Sequence, residues 1–194
     1  MQITLPTKAE RRRDEIVAAA LQVLATDGPG GLTFAAVCRT ARLSSPRLIS
    51  YHFQDRDGLL AAVVERVLTD LGRAVADELI GAPAGEAQLR ALFEANAAFL
   101  MAHRGHVVAL VALVTTDAGE PARQASRANE TAVAGLITAG IAAGELREID
   151  AGHAAFLVLR AIEGLAVAIA ADPGLPARGY ATSMADIVLR GLAR

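Results

Sequence analysis

Residues 33 to 53 read TFAAVCRTARLSSPRLISYHF, Thr33 through Phe53, and the fold turns on how that stretch is punctuated. Thr33 is placed to cap a short helix that runs to about Thr40, its hydroxyl taking a backbone N–H that the first helical turn leaves without a partner. Ser45 before Pro46 opens a further short helix ending near Tyr51, with proline at the first helical position, where its missing N–H costs nothing. Leu43, Leu48, Ile49 and Phe53 can face inward, while Ser44, Ser45, Arg47, Ser50, Tyr51 and His52 supply hydroxyl, guanidinium and imidazole donors outward. Short helix, tight turn and short helix make a helix-turn-helix, whose second helix enters a DNA major groove N-terminus first while the first lies across the phosphates. The same spacing also fits an ordinary helical hairpin whose polar face is merely wet.

Outward from this stretch the signals stay helical, with abundant Ala and Leu and almost no alternation of β-branched residues. Thr7-Lys8-Ala9-Glu10 is a capping box, and Asp27-Gly28-Pro29-Gly30-Gly31 ends the helix it opens, so a first helix spans about 8 to 26. Leu60, Val63, Val64, Val67, Leu71, Val75 and Leu79 then recur at helical spacing with no proline from Asp55 to Ile80. One uninterrupted helix of roughly 39 Å follows from 1.5 Å per residue. After the loop Gly81 to Gly85, further helices are expected at about 86 to 103, 105 to 115, 120 to 143, 151 to 171 and 176 to 193. The expected fold is all-α with about nine helices: a three-helix helix-turn-helix domain over 1–54, and a helical body over 55–194 for ligand binding and dimerisation, joined by the long helix.

Composition narrows the class. The chain has 194 residues, is 53% apolar and 4% aromatic, and has no Trp. The single Cys38 can form no internal disulfide, and with four scattered His it cannot build a structural zinc site, so no metal or cofactor and a reduced, cytoplasmic home are expected. A polar, charged helix start stands where a signal peptide would need an apolar core. The longest clean apolar run, Val107 to Val114, is far short of the roughly 18 residues of a membrane span. Charge is unevenly divided: residues 1 to 56 carry +3 and the remainder −5, the asymmetry expected when one part meets a polyanion and the rest does not.

From Arg13 to Leu60 the chain resembles the tetracycline-repressor (TetR) family of transcriptional regulators. The resemblance rests on Ile16 to Leu24, Gly28 and Thr33, Val37-Cys38, Ala41-Arg42-Leu43-Ser44, His52-Phe53 and Asp55-Arg56-Asp57-Gly58-Leu59-Leu60. Ala143-Gly144-Glu145-Leu146-Arg147 and Glu163-Gly164-Leu165 resemble the family's regulatory body less specifically. The resemblance implies a double-stranded DNA operator as partner, with Thr33 and His52 on backbone phosphates and Arg56, where the family usually has Lys, clamping the next phosphate. Ser45, Arg47 and Tyr51 would be base readers or their neighbours, and Arg47 suits guanine because a guanidinium fits O6 and N7 together. Lys8 and Arg11 to Arg13 can touch phosphates or form an ordinary solvated basic helix start. The chain departs from the pattern in two places. Arg42 stands at the turn position usually held by Gly, so the backbone there either avoids positive φ or carries strain. One extra residue lies between Ser44 and His52, leaving two registers for the recognition helix.

On the fifth helix Leu89, Phe93, Asn96, Leu100 and His103 put an amide and an imidazole on an apolar stripe. Either Asn96 and His103 bond neighbouring helices, or they are the polar groups of an effector cavity, which the resemblance puts among the fourth to eighth helices. His106, Leu110, Leu113, Thr116, Asn129, Val133 and Ile137 are further candidates for its wall. The helix 154 to 171 is apolar nearly all round, apart from Arg160 and Glu163, which are spaced to pair with each other and can equally form a buried pair between subunits or anchor an acidic effector, the first being favoured. Such a helix needs cover, and the resemblance supplies a homodimer through the last two helices, with Phe156, Arg160, Glu163, Val167 and Ile187 at the contact.

An enzyme would need a constellation. The chain contains no Glu-x-x-His, no His-Glu-x-x-His, no Gly-x-Ser-x-Gly and no phosphate loop. The competing reading is a helical adaptor or membrane-surface protein, which predicts no salt-sensitive affinity for DNA. Repression relieved by an unidentified small-molecule effector is the expected activity; operator and effector are not legible.

Overall fold

The computed structural model describes residues 7–114, 119–172 and 174–194; within these, the side chains of 109, 110, 112–114 and 119–126 are not described. Among the described residues there are nine helices: α1 Lys8–Gly31, α2 Phe34–Thr40, α3 Arg47–Phe53, α4 Arg56–Leu79, α5 Glu86–Ala102, α6 Arg104–Val114, α7 Gly119–Ala142, α8 Ala151–Ala171 and α9 Ala177–Leu192. The all-α expectation holds, and no strand is formed among the described residues beyond an isolated bridge between Leu146 and Ala193.

The caps fall where the side-chain chemistry puts them. Thr7 and Glu10 close the capping box on α1, Thr33 Oγ1 accepts from Ala36 N–H at 3.1 Å, and Asp55 Oδ1 accepts from Gly58 N–H at 2.8 Å at the start of α4. The first helix breaks at Gly28, whose φ of 67° and ψ of −175° are non-helical, and Pro29 to Gly31 form a separate turn. Expected to stop near Tyr51, α3 runs two residues further, because Phe53 is needed in the core.

Three apolar clusters result. The first joins Ile16, Leu24, Val37, Ile49 and Phe53 to Leu59, Val63, Val64 and Val67 of α4 and to Phe99 of α5. The second packs Leu89, Phe93, Val133, Ile137, Val158, Ile162 and Leu189 together, with Val75 of α4 lying against it. A third gathers Ala97, Leu100, Val107, Leu165 and Ile169. Thus α4, 24 residues and about 36 Å long, is anchored in the helix-turn-helix core at one end and in the body core at the other. A second junction is made by α1 against α6, where a Cβ on Gly105 would stand 2.8 Å from the Ala25 Cβ; the close approach demands glycine.

Candidate DNA interface

Recognition helix α3 is held by two buried side chains one turn apart, Ile49 and Phe53. Their burial leaves Arg47, Ser50 and Tyr51 on the opposite, exposed face, with the Tyr51 ring 81% exposed. His52 is half-buried on the flank, its ring 5.2 Å from Tyr51 in an edge arrangement. Ser44 is exposed at the turn. Ser45 Oγ accepts from the Arg47 N–H at 3.2 Å just ahead of the recognition helix, which leaves its hydroxyl proton for an outside acceptor. Thr33 is exposed and likewise caps α2 while keeping its own O–H free.

Arg56, expected to clamp a phosphate, is also engaged within the chain. Its Nε donates to the Leu32 carbonyl at 3.3 Å and its Nη2 to the Pro29 carbonyl at 2.9 Å. The guanidinium ties the α1–α2 connection to the head of α4, and only its remaining N–H groups face outward. The basic start of α1 is also partly committed: Arg12 pairs with Glu15 at 2.6 Å, and Arg13 reaches Glu65 at 3.6 Å while lying over the Phe53 ring at 5.2 Å. The Arg13–Phe53 contact, which braces the recognition helix from behind, has no signature in sequence spacing.

The backbone settles the question left by Arg42. Its φ is 51°, the left-handed region. Leu43 N–H donates to the Cys38 carbonyl at 2.9 Å and Arg42 N–H to the Arg39 carbonyl at 3.2 Å, the paired bonds of a Schellman motif with arginine at the position glycine usually takes. At the other end of α3, Gln54 has φ 60° and ψ −63°, and Asp55 N–H reaches back to the Phe53 carbonyl at 2.7 Å: a γ-turn of the strained hand. Gln54, exposed at this C-cap, is a position missed because the helix was expected to end two residues early.

The candidate effector residues divide. Phe93, Leu100, Val133 and Ile137 are buried in the body clusters. Asn96 is buried as expected, and its Nδ2 donates to the Leu92 carbonyl of its own helix at 2.8 Å. Asn129 and His103 are exposed and so line no enclosed cavity. The side chains of Leu110 and Leu113, and Thr116 altogether, lie outside the described residues. His103 stacks on Phe99 and His106, with centroids at 4.4 and 5.4 Å. Together with Leu21 and Gln22, both histidines line an open cleft of about 300 Å³ between α1 and α6. Burial, then the neighbouring His103, pushes the His106 imidazole below its ordinary pKa.

The body's two last helices expose what the core does not use. On α8 Phe156, Leu157 and Val167 are 49, 64 and 52% exposed, and on α9 Tyr180 and Ile187 are 49 and 72%. α9 thus has a second apolar side besides the one that carries Ala181, Ala185 and Leu189 into the core. Arg160 and Glu163 pair as their spacing required, at 2.6 Å, within the α8 face. Among the described residues α8 is also the one helix long and apolar enough to cross a membrane, with a mean hydropathy of 2.0; a third of that stretch is buried in the core clusters.

Comparison with known proteins matches residues 16–63 to the model of bacterial regulatory proteins of the tetR family and residues 82–192 to the tetracyclin repressor-like C-terminal domain. The chain belongs to the TetR family. The HTH-type transcriptional regulator BetI of Paraburkholderia phymatum is 38% identical over 88 residues, 45% of this chain and 44% of that protein. The aligned stretch thus spans less than half the length of the curated relatives it matches. A solved Rhodococcus sp. RHA1 protein of unknown function is 28% identical with a TM-score of 0.76, covering 94% of this chain and 95% of that one. A TetR transcription regulator from Haloarcula marismortui, 20% identical, has a TM-score of 0.84 and covers 95% and 99%. At that identity the likeness speaks for the TetR fold alone.

Proposed function

We propose that this TetR-family chain is a homodimeric, sequence-specific DNA-binding regulator, a repressor that a small molecule held by the body releases from a palindromic operator. The observation that carries the reading is the exposed Arg47, Ser50 and Tyr51 stripe on a helix whose other side is pinned by Ile49 and Phe53. Guanidinium, hydroxyl and phenol are the donors that read base edges, and the pinned side fixes how far they project. Two copies joined through α8 and α9 present two such helices to successive major-groove segments about 34 Å apart. Because α4 is rooted in both cores, a ligand that shifts its far end tilts its near end and changes that separation. Such a ligand must favour the state that does not fit DNA, with a coupling of about 1 to 3 kcal/mol.

Footprinting on DNA flanking its own gene, with and without a cell metabolite extract, tests the reading. A protected palindrome is expected whose affinity falls steeply with salt. Arg47→Ala should cost roughly 1 to 3 kcal/mol and relax discrimination at one base pair per half-site. Equal losses on the protected site and on random DNA would remove Arg47 from the reading role, and a helical adaptor would show no salt-dependent binding at all.

A further inference from the structure

Among the described residues, two that are not glycine have positive φ, Arg42 at 51° and Gln54 at 60°. They bracket the recognition helix, one closing the turn before it and the other ending it. Glycine would satisfy both backbones without strain, since it alone populates this region freely. Neither side chain compensates the strain among the described residues: both are exposed, and neither makes a side-chain hydrogen bond or ion pair there. A strained residue whose side chain does nothing for its own fold points to an outside partner.

Position says which partner. α2 lies across the phosphates and α3 in the groove, so the segment joining them passes the groove's edge, where Arg42 stands two residues before Ser44. Gln54 is exposed just past the end of α3 that leaves the groove toward the opposite phosphate wall. We propose that Arg42 and Gln54 grip DNA phosphates at the two ends of the recognition helix, the guanidinium by charge and the amide by its N–H donors. This rests on the DNA-binding reading above and adds two contacts to it.

The test uses full-length protein and a 30-base-pair duplex of random sequence, since phosphate contacts do not depend on sequence. Arg42→Gly removes one phosphate contact from each copy of the dimer, so it should weaken binding about sixtyfold at 0.1 M salt, the counterion-release value of two phosphates, and lower the slope of log affinity against log salt by about 1.8. Arg42→Lys should retain the wild-type slope. Gln54→Gly should weaken binding with no change in slope, because the amide carries no charge. Neither glycine variant should lower the thermal midpoint, as each removes strain. Wild-type affinity and slope in Arg42→Gly or wild-type affinity in Gln54→Gly, or a lowered midpoint in either, would overturn the assignment. Absence of salt-dependent binding by the wild-type protein would instead overturn the DNA-binding reading itself.

Discussion

Replacing Ile187 by Arg should convert the dimer to a monomer while leaving the subunit folded. Ile187 is 72% exposed in the single chain. Full burial of such a side chain is worth about 1.5 to 3 kcal/mol, so covering its exposed part contributes about 1 to 2 kcal/mol per copy. A two-fold interface uses the residue twice, which brings the loss to about 2 to 4 kcal/mol, or roughly 30- to 700-fold in the dimer dissociation constant. Arginine adds to this, because each copy would bring an unpaired guanidinium into an apolar contact. Sedimentation velocity at micromolar concentration should show a species of about 20.1 kDa in place of its dimer. The thermal midpoint extrapolated to the monomer should be unchanged, since Ile187 belongs to none of the three buried clusters. An undiminished dimer in the variant would refute the placement of the interface on α8 and α9, and with it the spacing argument for a palindromic operator.

Two glycines on α4 should respond to alanine with opposite signs. Gly72 has open space around it and should gain about 0.5 to 1 kcal/mol, whereas a Cβ on Gly58 would collide with the Phe53 carbonyl oxygen and should destabilise; changes of the same sign in denaturant unfolding would contradict this. Arg56→Ala removes two charge-assisted bonds to the Pro29 and Leu32 carbonyls from an exposed side chain and should lower stability by about 1 to 2 kcal/mol. An unchanged unfolding midpoint would return Arg56 to a purely DNA-facing role. His106 favours its neutral form when folded, so it contributes stability above its ordinary pKa of 6.5 that is lost as pH falls through that value toward the lower folded one. His106→Phe should therefore flatten the pH dependence of the thermal midpoint between about 7 and 5, and an unaltered slope would show that another group titrates there.

Much of this fold is written locally. Caps, prolines and glycines punctuate the helices because their physics involves only neighbouring residues, so the Thr33 cap, the Thr7–Glu10 box and the uninterrupted α4 were all legible. The end of α3 was misplaced because Phe53 is kept helical by burial in a core shared with α1 and α4, which local signals do not carry. The Arg160–Glu163 pair was legible because it is an i,i+3 contact on one helix. The exposure of Asn129 and His103 was not legible, since helical spacing gives a face but not what that face meets.

By itself, then, the sequence determined the all-α class, the helix-turn-helix, the polarity of the recognition face and the apolar excess of α8, each a property of short segments or of composition. Only the tertiary structure decided how Arg42 resolves its turn and that Arg56 is drawn to carbonyls 24 and 27 residues away. The same holds for Arg13, which lies behind Phe53, and for the parts of α8 and α9 left uncovered. These depend on which helix surfaces meet across long loops, where packing of the whole chain overrides local preference.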